Sequence, residues 1–167
     1  MNPYDLYALE TAFRIREQTG GTVQVISMGP PQAKAGDQGS VCDGSGCGNT
    51  FVRPQIRRSR CAGYELYAGT GASKASGEFD LILCGRQTTD GDTAQVGPEI
   101  SEWLNIPSVA DVVKINKVEE DGITVSMDLP EEVEIAKVQF PCLLAVNKDI
   151  FQPRLPSYVK NDGDERA

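Results

Sequence analysis

Apolar side chains recur at helical spacing near the start of the chain, with Leu6, Leu9 and Phe13 on one stripe and Ala8, Ala12 and Ile15 widening it. Asn2 stands where an N-cap belongs, Pro3 suits the first helical position, and Asp5 sits in the positive first turn. Gly20 and Gly21 end the helix. Residues 22–28 (TVQVISM) then read as a buried strand, closed by Gly29-Pro30-Pro31. Residues 79–84 (FDLILC) predict a second buried strand, followed by a Gly-, Thr- and Asp-rich turn over 85–92. A helix opens near Asp92 or Thr93 and runs through Trp103 and Leu104, with Trp103 read as a packing residue. Beyond Ile106-Pro107-Ser108 the pattern changes to short strands at 112–118, 123–129, 133–140 and 142–146, with Asp121-Gly122 as a hairpin turn between the first two. Residues 151–167 are polar and punctuated by proline, which predicts an arm or frayed tail. Helix and strand alternating in this way indicate an α/β layered fold.

Residues 35–76 break the pattern. They are rich in Gly, Ser, Arg and Cys and show neither helical nor strand periodicity. A structureless insert of that length is foreign to a compact domain.

Composition narrows the function. The chain has 167 residues, room for one domain, and 16 basic against 24 acidic side chains give a net charge of −8. An acidic chain lacks the phosphate-neutralising face of a nucleic-acid binder, and Arg53, Arg57, Arg58 and Arg60 are an isolated basic cluster within it. Histidine is absent, which removes the commonest general base and metal ligand together. Cys42, Cys47 and Cys61 lack the fourth ligand and paired spacing of a zinc or iron–sulfur site, while Cys84 and Cys142 fall in buried-strand patterns as small core residues. No apolar run is long enough to span a membrane and the first residues do not form a secretion signal. With five cysteines, an odd number, the expected compartment is the reducing cytoplasm.

The chemistry concentrates in residues 83–98 (LCGRQTTDGDTAQVGP). A strand, a tight polar turn and a helix start together present free backbone N–H groups and a positive dipole end to an anion. Thr88, Thr89 and Thr93 offer hydroxyl donors, Gln87 and Gln95 amide donors, and Arg86 a charge, while Gly91 and Gly97 permit close backbone approach. Read alone, Asp90-Gly91 is an ordinary turn and Asp92 an ordinary helix cap. Two aspartates suit a phosphate only if their carboxylates turn back onto backbone amides.

Residues 1–34 (MNPYDLYALETAFRIREQTGGTVQVISMGPPQAK), the stretch GEFDLILCGRQTTDGDTAQVGPEISEWLNIPSVA and FPCLLAVNKDIFQPRLPSY resemble the β subunit of electron transfer flavoprotein. The resemblance covers residues 1–34 and roughly 77–160. It implies a doubly wound, mostly parallel α/β sheet of the adenine-nucleotide-binding type over 1–160, a β-hairpin excursion near 112–140, and a polar tail at 161–167. It implies AMP as cofactor or, in the electron-bifurcating branch whose wording DGDTAQVGP resembles, FAD with NAD bound beside it. The family's nucleotide loop falls on Gly85, Gln87, Thr88, Asp90, Gly91, Asp92, Thr93, Ala94, Gln95, Val96 and Gly97. The implied partners are a flavin-carrying α subunit of electron transfer flavoprotein and an acyl-CoA-type or other dehydrogenase, the latter docked through a loop anchored by Leu155. No side chain is implied as catalytic acid, base or nucleophile. A stand-alone nucleotide-binding regulatory domain and a nonfunctional translated fragment are the alternative readings.

The resemblance stops after Lys34 and resumes near Gly77 without loss of spacing. Back-translated with free codon choice and read one base later, residues 56–75 yield FAGADVLATSYTLAQGLRKL, which is the family's wording directly ahead of GEFD. Residues 35–76 are therefore expected to be out of frame. The chain also starts at a methionine internal to most family members, so that the family's first strand and loop are expected to be missing. A shifted segment is expected to leave one sheet face uncovered and half the nucleotide pocket absent. Such a polypeptide would aggregate or stay partly unfolded and hold no flavin.

Overall fold

A computed structural model describes residues 2–29, 47–52, 79–148 and 150–154. Helix α1 (Pro3–Thr19) leads to strand β1 (Gln24–Gly29), which pairs in parallel with β2 (Cys47–Val52). A second sheet is built from β3 (Leu81–Gly85), β4 (Ser108–Val118), β5 (Gly122–Asp128), β6 (Val133–Gln139) and β7 (Cys142–Val146), with helix α2 (Val96–Leu104) between β3 and β4. Its order is β3-β7-β4-β5-β6. β3, β7 and β4 run parallel, and β4, β5 and β6 form an antiparallel meander. The α/β class and the hairpin excursion are thus as expected.

β7 shows why the sheet forms. All five of its residues (CLLAV) are buried, the unbroken apolar run of a central parallel strand covered on both faces. Cys142, Leu144 and Val146 join one cluster with Ala8 of α1, Val112, Ile123 and Val125. Leu143 and Ala145 face the other way and lie under Gly97 of α2. Helices therefore cover β7 on opposite faces, and the bare face expected from the anomalous segment is not found at this strand. Each fully buried Leu or Val contributes on the order of 1.5–3 kcal/mol, so this strand is the energetic centre of the domain.

Several boundaries differ from the sequence reading. α1 ends as expected, with Gly20 left-handed at φ 74° and its N–H on the Arg16 carbonyl at 2.8 Å. Its inward face is Ala8, Glu10, Thr11 and Phe13, whereas Leu6, expected in the apolar stripe, is 39% exposed. Thr11 is tolerated inside because its hydroxyl donates to the Tyr7 carbonyl at 2.7 Å. β2 lies in the stretch read as lacking periodicity; the remainder of 35–76 is outside the described residues.

β4 begins at Ser108, four residues before the expected start at Val112, because its pairing with β7 shifts register between Val109 and Val112. Those two valines, three apart, both reach the core, and Asp111 between them takes φ 56°. α2 opens at Val96 and not near Asp92, since Asp92 and Ala94 adopt φ 50° and 53°, which no right-handed helix contains. Trp103 is 59% exposed, so its expected packing role does not hold. On edge strand β6, Val133 and Ile135 are exposed as well.

Residues 151–154 do not fray. Arg154 donates to the buried Glu10 through Nε at 2.7 Å and to Glu17 through Nη1 at 2.8 Å. Its guanidinium also stands 5.5 Å from the Phe13 ring centroid, and Arg14 covers Phe151 at 4.3 Å. These contacts strap the chain leaving β7 along α1. Leu155, the expected partner anchor, and the tail beyond it lie outside the described residues.

Candidate functional site

β3 delivers the polar loop to the carboxyl end of the parallel strands, where the Arg86 N–H bonds the Val146 carbonyl at 2.9 Å. The start of α1 crosses this point so closely that a Cβ on Gly85 would lie 2.6 Å from Tyr4 Cβ and 2.7 Å from the Tyr4 carbonyl carbon. Only glycine fits. Asp5 accepts the Gly85 N–H at 3.3 Å, and Asn2 Nδ2 donates to the Gln87 carbonyl at 2.9 Å. Asn2 makes no side-chain cap bond to α1, contrary to the expectation; its amide holds the loop instead.

Within the loop, the hydroxyl of Thr88 accepts the Gly91 N–H at 3.2 Å, and the Thr88 carbonyl accepts the Asp92 N–H at 3.0 Å. The Thr88 hydroxyl, with the backbone N–H groups of Asp90 and Gly91, also holds the Asp90 carboxyl below its ordinary range. Gln87 turns its amide to the Asp92 carboxylate and to the Tyr4 hydroxyl. Asp90 thus meets the expected condition of a carboxylate turned onto backbone amides, whereas Asp92 is engaged by the Gln87 side chain instead. The side chains of Gln87 and Thr88 are correspondingly committed within the protein, and Arg86, expected to supply a free charge, pairs with Asp111 at 2.8 Å.

What stays open is backbone. The N–H groups of Thr93, Ala94, Gln95, Val96 and Gly97 have no acceptor among the described residues, and Gln95 provides no side-chain cap to α2. Residues 89–96 are exposed and Gly97 is buried. A Cβ on Gly97 would meet Cys84 Sγ at 3.0 Å and Leu143 Cδ2 at 3.4 Å, so this glycine seats the helix start directly on the sheet. Of the expected residues, Gly85 ends β3, Gln87, Thr88, Asp90, Gly91, Asp92, Thr93, Ala94 and Gln95 lie in the loop, and Val96 and Gly97 open α2.

Sequence reasoning missed Asn2, Tyr4 and Asp5 as neighbours of this turn. Their local signals are those of a helix start, and contacts across more than 80 residues leave no periodic trace. Neither described free cysteine is a nucleophile: burial pushes the Cys84 thiol up to about 12 and Cys142 to about 11. No helix among the described residues is long and apolar enough to cross a membrane.

A three-strand parallel core with helices on both faces and an open turn at its carboxyl edge defines an α/β protein with a switch-point type of site. A family model described as "Electron transfer flavoprotein domain" matches residues 1–166, and the chain belongs to that family of electron-carrying flavoproteins. It is 44% identical over 160 residues to the electron transfer flavoprotein subunit beta of Thermoanaerobacterium thermosaccharolyticum, covering 94% of this chain and 59% of that protein. It is 37% identical over 163 residues to the caffeyl-CoA reductase-Etf complex subunit CarD of Acetobacterium woodii, covering 94% of this chain and 60% of the relative. Protein FixA of Bradyrhizobium diazoefficiens is 34% identical over 157 residues, covering 87% of this chain and 52% of FixA. The chain therefore spans about three fifths or less of the length of these relatives.

Proposed function

We propose that this chain carries the nucleotide-binding part of an electron transfer flavoprotein β subunit. In this reading it works in the cytoplasm, paired with a flavin-carrying α subunit, and passes electrons between an acyl-CoA-type or other dehydrogenase and an acceptor. The observation that carries the reading is the run of unpaired backbone N–H groups from Thr93 to Gly97 at the start of α2, on a turn whose two aspartates already face other donors. That donor set fits a phosphate of AMP or FAD, because backbone amides at a helix start attract anions and residues 89–96, Gly91 among them, are exposed, while Gly85 and Gly97 are packed against α1 and the sheet. Gly85 to Gly97 would hold the nucleotide, and Asn2, Tyr4 and Asp5 would fix the turn from behind. A bound flavin supplies the redox chemistry, while the chain's own residues bind, orient and shape the electrostatics. In a bifurcating complex NAD would bind beside FAD.

Equilibrium dialysis with AMP tests the site, and co-expression with a tagged α-type subunit tests the partnership. We expect AMP to bind with a Kd tighter than about 100 μM, near −5.5 kcal/mol, and the two chains to co-purify. AMP binding without any α-type partner would favour a stand-alone regulatory domain. Absence of AMP binding would remove the nucleotide reading.

Residues 35–76 enter the same proposal as an out-of-frame stretch. Reading the coding DNA across codons 30–80 is expected to show a single-base slip near each end. Restoring the frame is expected to tighten AMP binding by at least about tenfold, since the half of the nucleotide pocket expected from that stretch would return. An uninterrupted frame there would end this part of the reading.

A further inference from the structure

Arg86 and Asp111 sit on strands that are not neighbours: Arg86 follows β3, Asp111 interrupts β4, and β7 lies between them. Their ion pair, Nε to Oδ1 at 2.8 Å, spans the carboxyl end of β7, where Arg86 N–H reaches Val146 and Asn147 N–H reaches Val112. Both contacting atoms are sealed from solvent and meet as an ion pair without hydrogen-bond geometry, yet the Arg86 side chain is 41% exposed. The two terminal amino groups of its guanidinium make no hydrogen bond among the described residues.

The backbone is bent to make this contact. Val109 and Val112 take the core side of β4, while Asp111 between them adopts φ 56° and brings its carboxylate to Arg86. A non-glycine residue adopts that conformation at a cost, and bulges of this kind re-aim side chains. Arg86 itself follows directly on β3 and opens the loop whose free amides run from Thr93 to Gly97. A guanidinium held by Nε still presents two parallel N–H groups end-on, the geometry that matches a phosphate.

We propose that Asp111 is a positioning residue that holds Arg86 at the mouth of the parallel strands, so that its terminal amino groups meet the phosphate of an adenine nucleotide seated on the 85–97 turn. The inference rests on the nucleotide reading above and adds a specificity for the charged phosphate over the bare nucleoside. Fixing the side chain beforehand removes the ordering cost that a free arginine would meet on binding. The opposite role, in which Asp111 merely neutralises Arg86 and so weakens anion binding, gives the opposite sign on removal of its charge.

Calorimetric titration of the full chain with AMP and with adenosine separates these roles. Asp111→Asn keeps a residue that tolerates positive φ, and Asp111→Gly repeats the measurement without strain should the Asn variant melt early. Arg86→Gln is expected to weaken AMP by about tenfold, the worth of a charge-assisted contact, and to leave adenosine within about twofold. Asp111→Asn is expected to weaken AMP about threefold to tenfold with adenosine unchanged, and to add nothing further once Arg86→Gln is present. Tighter or unchanged AMP binding in Asp111→Asn overturns the proposal, as does an equal loss in both backgrounds. A wild-type chain that binds AMP and adenosine alike overturns the proposal but keeps the nucleotide site. One that binds neither removes the site and the proposal together.

Discussion

Gly85→Ala is expected to destabilise the protein by about 2–4 kcal/mol, the range of severe overpacking, and to displace the nucleotide turn. The added methyl would sit 2.6 Å from Tyr4 Cβ, 2.7 Å from the Tyr4 carbonyl carbon and 2.8 Å from Asp5 Oδ1. Two of these atoms belong to or directly adjoin the backbone of α1, so no side-chain rotation relieves the clash and the helix must move. Movement breaks the Asp5–Gly85 and Asn2–Gln87 hydrogen bonds and lifts Ala8 from the core cluster. Gly91→Ala is the control, because its methyl would meet only Thr88 Oγ1, at 3.2 Å, and a change within about 0.5 kcal/mol is expected. Denaturant melts of the two variants check this, and a Gly85→Ala midpoint equal to wild type would show that α1 does not cross the end of β3.

The second large effect concerns Glu10, only 3% exposed, which accepts from Arg14 Nε and Arg154 Nε, each at 2.7 Å, and from Arg154 Nη2 at 3.1 Å. Burial alone would push this carboxyl up. The hydrogen bonds from Arg154 and Arg14 outweigh it and hold Glu10 at about 2, against an ordinary 4.5. The folded state thus favours the ionised form. Its contribution is complete above pH 4.5 and is lost as pH falls toward 2.

Arg154→Met is expected to cost about 2 kcal/mol, below the full penalty of a broken buried pair because Arg154 is itself 38% exposed and Arg14 remains on Glu10. Glu10→Gln should flatten the acid limb, so that its stability falls less between pH 4.5 and 2 than that of wild type. Urea melts at stepped pH measure both. An unchanged acid slope in Glu10→Gln would mean that the pair does not set acid stability.

Legibility from the sequence followed the range of the interaction. β7 was readable because a parallel central strand writes its burial as five consecutive apolar letters, and the β4–β5 turn because Asp121-Gly122 carries its own geometry. The left-handed cap at Gly20 was readable for the same local reason. Elements shaped by partners far along the chain were not. Ala110 and Asp111 hide the start of β4 because the bulge is imposed by β7, and β2 exists through its pairing with β1, not through any periodicity of CGNTFV. At the candidate site the glycines and the polar turn were legible. The commitment of Gln87, Thr88 and Arg86 to protein partners was not, since Tyr4 and Asp111 enter from other elements. The strap over α1 is legible only as an arm or a frayed tail, because proline-punctuated polar sequence does not decide between them until Glu10 and Glu17 are placed beneath Arg154.

The order β3-β7-β4 has a consequence for biosynthesis. A ribosome makes both outer members of this trio before the one that joins them, so the emerging polypeptide holds two strand edges apart until residues 142–146 clear the exit tunnel. Until then the meander of β4, β5 and β6 can form by itself, but the parallel half cannot. Interrupted synthesis would leave exposed strand edges that invite intermolecular pairing, which makes the interval before β7 arrives the one in which a chaperone would matter most.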